Sequence, residues 1–154
     1  MMPHIHFLFG VTYIYVFQSP DLGYLDIILF LLGCLSPDLD FIIAYRLRSN
    51  HRRLVSHYPF SWLIATVFAS LLQSPLIWFC WGGFLHLLID TLDWEVVLFG
   101  PFFSFGFSFL SLEYRDHYKE FPFFQMLIEY YSNKKILLLE GIFFLLCFLS
   151  LFTR

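Results

Sequence analysis

His86 and Asp90 stand four residues apart, one helical turn, so in a helix an imidazole and a carboxylate share one face of an otherwise apolar run. Such a pair binds one metal ion, or the Asp orients the His from behind, or the two simply hydrogen-bond inside a bundle. Upstream, Ser36-Pro37-Asp38-Leu39-Asp40 has the form of a helix start, with Ser as N-cap, Pro in the first turn and Asp against the dipole. Capping leaves Asp40 unexplained. His51 and His57 are six residues apart, which is not one helical face and suits a loop that enters a helix. Arg52 and Arg53 beside them suit bidentate pairing with phosphate or carboxylate oxygens, or serve only to set topology. Of His4 and His6, two apart, one is able to ligate while the other faces solvent. His117, in the mixed-charge stretch from Glu113 to Glu120, reads as solvated surface. Asp93 and Glu95 are further ligands, a general base or plain helix-end residues.

These groups sit in a chain of 154 residues that is 59% hydrophobic, 23% aromatic and only 14% charged, with a mean hydropathy of +0.71. A soluble domain carries about 25% charged residues, so the composition points to an integral membrane protein. A net charge of −3 excludes the basic surface of a general nucleic-acid binder. Cys34, Cys80 and Cys147 lie inside apolar runs without metal or disulfide spacing and read as packing residues. The N-terminus lacks the features of a cleaved signal peptide.

Apolar runs cover 5–17, 24–36, 60–72, 75–92 and 136–152, with an aromatic stretch at 96–112. Breakers at 18–23 join the first two runs, and Gln73-Ser74-Pro75 joins the third and fourth, so two helical hairpins are predicted. If each hairpin crosses and returns, His4 and His6, the segment 36–40, His51, His57, His86 and Asp90 all meet on one membrane face. The arginines at 46, 48, 52 and 53 mark that face as cytoplasmic, because the opposite turns hold no Lys or Arg. Glu140, one turn into the last run, is either an intramembrane functional carboxylate or a headgroup-level residue. Histidines and aspartates gathered at one boundary point to a metal site, with zinc or manganese suited to mixed nitrogen and oxygen donors. More than four ligands suggests two ions.

In order, His6, Pro37-Asp38-Leu39-Asp40, His51-Arg52 with Ser56-His57, Gly83-Phe84-Leu85-His86 with Asp90, and Gly100-Pro101 resemble the YdjM-like family of membrane-bound, metal-dependent hydrolases. The resemblance covers residues 4–104. It implies that His6, Asp38, Asp40, His51, His57, His86 and Asp90 are metal-site positions, with Arg52 alongside. A looser similarity of that family to zinc-dependent phospholipase C and single-strand nuclease folds implies phosphoester hydrolysis. Arg53, Ser56 and Tyr58 depart from the Gly, Thr and Ser usual at their positions.

The resulting expectation is an all-α integral membrane bundle of about five transmembrane helices arranged as hairpins, plus an interfacial helix. One domain spans 1–154: hairpins 4–36 and 58–92 carry the site, 93–132 is irregular and interfacial with a helix near 118–131, and 134–153 is the last span. The expected protein is a multi-pass inner-membrane hydrolase that cleaves an ester or phosphoester of a membrane lipid or lipid-linked substrate. Zn2+ is the expected cofactor, as one or two ions, with Mn2+ as the alternative. Asp40 or Asp90 would accept the proton of the attacking water and Arg52 would hold substrate oxygens. A metal-stabilised, non-catalytic partner protein and a metal ion transporter are the rival readings; a transporter needs ligands near the bilayer midplane.

Overall fold

The computed structural model describes residues 3–17, 22–47, 54–92, 95–103, 105–109, 128, 130–150 and 152, with the backbone alone for 40–47. Its elements are α1 (Pro3–Phe17), α2 (Tyr24–Leu47), a 3-10 turn (Val55–His57), α3 (Pro59–Leu71), α4 (Leu76–Asp90), strands β1 (Val96–Val97) and β2 (Gly106–Phe107), and α5 (Lys134–Ser150).

Local chemistry explains where the helices begin and end. The Gly23 N–H donates to Asp26 Oδ2 at 3.2 Å and the Gly23 carbonyl takes the first α2 bond, so the carboxylate reaches back over the helix start as in a capping box. Pro59 opens α3 in the first turn, where its missing N–H is not needed. At the other end of α3 the Ser74 N–H donates to the Ala69 carbonyl (2.9 Å) and the Gln73 N–H to the Ser70 carbonyl (3.0 Å). This is a Schellman closure, with Gln73 at φ 49° in the position that favours glycine. The predicted turn between α3 and α4 is therefore realised.

The first predicted hairpin differs in one respect. Its second arm does not stop at 36: α2 continues through Pro37 to Leu47. Pro37 has no N–H for the Gly33 carbonyl, and the Ser36 hydroxyl donates to that carbonyl at 3.1 Å instead. Ser36 thus repairs a helix interior where the sequence suggested a helix start.

Packing is tightest between α2 and α4, where backbone meets backbone. A Cβ on Gly33 would strike the carbonyl of Phe79, and one on Gly82 would strike the carbonyl of Phe30. Phe30, Cys34 and Leu85 form the buried core there, closed by Phe9, Tyr13, Ile14, Leu31, Trp78 and Trp81. Trp81 Nε1 donates to the Tyr13 hydroxyl at 3.0 Å and ties α4 to α1. α5 joins through a second cluster, in which Leu139 and Phe143 pack on Ile5 and Ile89.

Helix dominates, as expected of an all-α bundle, but the expected five transmembrane helices are not found. Among the described residues no helix is long and apolar enough to cross a membrane. α1, α3, α4 and α5 have 15, 13, 15 and 17 residues, which at 1.5 Å per residue fall short of a hydrocarbon core of about 30 Å. α2 has 24 residues but carries Asp26, Pro37, Asp38, Asp40 and Arg46. The segment expected to be irregular contains a short antiparallel ladder, Val96 opposite Phe107 and Val97 opposite Gly106. Of the interfacial helix near 118–131, residues 128, 130 and 131 are helical and the rest lie outside the described residues, as does His117.

Gly82→Ala is expected to lower the stability of the detergent-solubilised protein by about 2–3 kcal/mol, because neither backbone can yield to the added methyl. Gln73→Gly is expected to raise it by about 0.5–1 kcal/mol by relieving the left-handed residue. Denaturant midpoints of the two variants check both signs.

Candidate functional site

The ends of both hairpins meet. His6 in the first turns of α1, Asp38 in α2, His57 in the 3-10 turn and His86 and Asp90 at the end of α4 converge on one buried cluster. His6, His57, His86 and Asp90 are all 2% exposed or less, whereas the Asp38 side chain is 21% exposed and marks the open side.

His86 is the centre of the cluster. Its Nδ1 lies 2.7 Å from the Cys34 carbonyl. A carbonyl only accepts, so Nδ1 carries the hydrogen and a neutral ring presents its lone pair at Nε2. That Nε2 points at Asp38 Oδ1 (3.6 Å) and Asp90 Oδ2 (3.5 Å). The other Asp90 oxygen, Oδ1, is 3.1 Å from His6 Nε2, so one carboxylate touches both imidazoles. Proximity is not hydrogen bonding here: among the described residues neither His6 nitrogen and not His86 Nε2 has a partner in hydrogen-bond geometry. The His6 and His86 rings stack at 3.6 Å with 21° between planes, and the His57 ring stands edge-on to His86 at 6.3 Å.

Asp38 and Asp90 bring two carboxylates to imidazoles that stack at 3.6 Å, and nitrogen and oxygen donors of these kinds are able to ligate a divalent cation. Two imidazolium rings at that distance would repel, which disfavours protonating both histidines. The ligand atoms of His6, Asp38 and His86 lie within 4.8 Å of one another, and those of His57, His86 and Asp90 do likewise. Both sets share His86.

The surrounding elements set these side chains in place. Trp62 Nε1 donates to the Ser56 carbonyl at 2.7 Å while its ring covers Gly83, so α4 holds the turn that carries His57. The Cys34 carbonyl reaches His86 only because Gly33 and Gly82 bring α2 and α4 together. Neither support is a side chain with ligand chemistry, and so neither stands out in the sequence; Pro37 frees the Gly33 carbonyl, which Ser36 takes, and not the Cys34 carbonyl that meets His86.

Of the residues expected at the site, His6, Asp38, His57, His86 and Asp90 come together. His51 and Arg52 lie outside the described residues, as do Arg53 and Asp93, and only the backbone of Asp40 is described. His4 is exposed, unlike His6, and its Nε2 is 3.9 Å from Glu140 Oε2. Glu140 is buried and accepts a hydrogen bond from the Tyr130 hydroxyl at 2.7 Å.

The profile of the YdjM inner membrane protein family matches residues 1–154. The chain belongs to the YdjM family of inner membrane proteins. No curated protein and no solved structure shows significant similarity to it. Membership of a membrane family accounts for the outer faces of this YdjM-family bundle, where Leu63, Ile64, Val67, Phe68 and Leu71 on α3 and Leu137, Leu138, Ile142 and Leu145 on α5 are exposed.

Adding Zn2+ to chelator-stripped protein is expected to raise its unfolding midpoint, by the equivalent of about 2.7 kcal/mol at a hundredfold excess over Kd. Asp90→Asn, which removes the carboxylate shared by His6 and His86, is expected to abolish most of that increment. Thermal unfolding with and without metal is the measurement.

Proposed function

We propose that this YdjM-family protein is a membrane-bound, metal-dependent hydrolase of an ester or phosphoester carried by a membrane lipid or lipid-linked substrate. The observation that carries the reading is His86: its Nδ1 is committed to a backbone carbonyl and its Nε2 is directed between two carboxylates. That is the arrangement of a metal-ligating histidine with its outer partner in place.

One ion rather than two suits the cluster. Both three-residue sets need His86, and Nε2 offers a single lone pair, so the sets are two halves of one centre. Zinc fits three imidazoles and two carboxylates best, with manganese as the alternative. When bound, such an ion polarises a substrate oxygen and makes a water nucleophilic near neutral pH.

The chain's own residues divide the remaining work. Asp90, 1% exposed, sets its two oxygens against His6 Nε2 and His86 Nε2 and so serves as a ligand beside them. Asp38, on the open side, is the better placed carboxylate to accept a proton from water. Asp40, His51 and Arg52 enter by sequence order alone, Arg52 as a partner for substrate oxygens. Arg46 lies near the end of α2 and Arg48, Arg52 and Arg53 follow it in sequence, which favours a multi-pass arrangement with the cluster facing the cytoplasm. Helices shorter than the bilayer are accommodated by local thinning and by polar residues that reach the interface.

The depth of burial favours a second reading. A centre this enclosed also suits a structural metal with every coordination position filled. Metal content and phosphodiesterase and lipase activity of wild type, Asp38→Ala and His86→Ala separate the two. A hydrolase is expected to bind about one zinc per chain. Asp38→Ala should then lose on the order of a hundredfold or more in turnover while the fold persists, and His86→Ala should lose both metal and activity. Unfolding together with metal loss, in a wild type without activity, would identify the structural role; activity independent of both residues would sink the hydrolase.

A further inference from the structure

The segment that follows Asp90 carries a feature the metal cluster does not use. From Val96 to Phe109 there is no Asp, Glu, Lys, Arg or His, while phenylalanine stands at 99, 102, 103, 105, 107 and 109. All six rings are exposed, Phe102 and Phe105 by 72% and 71%. Phe105, Phe107 and Phe109 alternate along one strand direction and so share a face, whereas consecutive Phe102 and Phe103 diverge. Apolar side chains therefore leave this hairpin in several directions.

Its base is anchored at the cluster on both sides. The Phe109 N–H donates to the Thr91 carbonyl at 2.8 Å, one residue beyond Asp90, and the Phe60 N–H donates to the Leu98 carbonyl at 3.3 Å. The Tyr58 ring, next to His57, lies against Gly100. Phe99 packs on Phe60 at 5.9 Å, and Val96 is buried. The hairpin is thus held beside the residues that carry His57 and Asp90; Phe99 and Phe102 lean on Phe60 and still leave most of their surface uncovered.

We infer that the hairpin 95–109 inserts its phenylalanines into the bilayer and so holds the mouth of the His/Asp cluster at the depth of lipid headgroups. A protein partner would meet a polar rim around an apolar centre, and the hairpin's one charged residue, Glu95, lies at its base against Gly106 rather than around the phenylalanines. Hydrocarbon accepts rings that point in several directions, and the parent family is one of inner membrane proteins. The inference deepens the hydrolase reading, since ester and phosphoester bonds of phospholipids lie at that depth; the insertion itself does not depend on catalysis.

Spin labels at Phe102→Cys and Phe105→Cys test it in the full chain with Cys80→Ala, reconstituted in phosphatidylethanolamine/phosphatidylglycerol vesicles, with Phe68→Cys on α3 as the reference. Power saturation is expected to show both hairpin labels accessible to oxygen and shielded from a water-soluble nickel chelate, like the reference. Accessibility to the chelate, with the reference still shielded, would overturn the inference. So would labels shielded in native membrane vesicles yet chelate-accessible in the purified system, because a protein would then be the cover. Circular dichroism and metal content of each labelled variant confirm that the fold is intact. The measurement needs no turnover, so absence of hydrolysis would defeat the enzyme reading and leave the insertion standing.

Discussion

The contact between α2 and α4 governs the rest of this molecule. Gly33 and Gly82 let two helix backbones approach until each glycine lies against a carbonyl of the other helix. Contacts of this kind rely on dispersion between closely approaching backbones, which small residues at a helix interface allow. The same approach places the Cys34 carbonyl within 2.7 Å of His86 Nδ1. A glycine contact thereby selects a histidine tautomer, and that tautomer directs Nε2 toward Asp38 and Asp90.

The second constraint is charge in a bundle that otherwise avoids it. Only 14% of residues are charged, yet Asp90 is buried to 1% beside His6 and His86. Isolated, such a carboxylate would be costly. Here it stands in company with Asp38 and three imidazoles, the donor types on which the proposed metal site rests. The neighbouring hairpin answers a different need: beyond Glu95 at its base it carries no charge, and it exposes six phenylalanines. A polar cluster and an apolar projection are built within a few residues of each other, from the two sides of the Thr91–Phe109 contact.

Much of this was legible in the residues and some was not. The turn at 73–75 announced itself through Pro75, and it folds as a Schellman closure that needs no glycine despite the left-handed Gln73. Convergence of His6, His57, His86 and Asp90 followed from two hairpins returning to one side. Pro37 misled, because Ser-Pro-Asp is a common helix opening and nothing local reveals that Ser36 repairs the helix from within. The ladder at 96–107 had a signal, the strict alternation Phe103-Ser104-Phe105-Gly106-Phe107-Ser108-Phe109, which the nearby Gly100 and Pro101 made read as an interrupted aromatic run. Glu140 was ambiguous, since a carboxylate one turn into a helix is decided by what packs on it, and here the Tyr130 hydroxyl does.

The sequence by itself determined the class of protein, the hairpin pairing and the residue types able to hold a metal, because composition, turn chemistry and four-residue spacing act locally along the chain. Tertiary structure decided which of those residues meet, which nitrogen of His86 faces the carboxylates, and that Asp38 stands at the opening while Asp90 stands in the wall. Those outcomes depend on a backbone carbonyl and on two glycines, groups without ligand chemistry of their own, whose effect exists only once α2 and α4 are in contact.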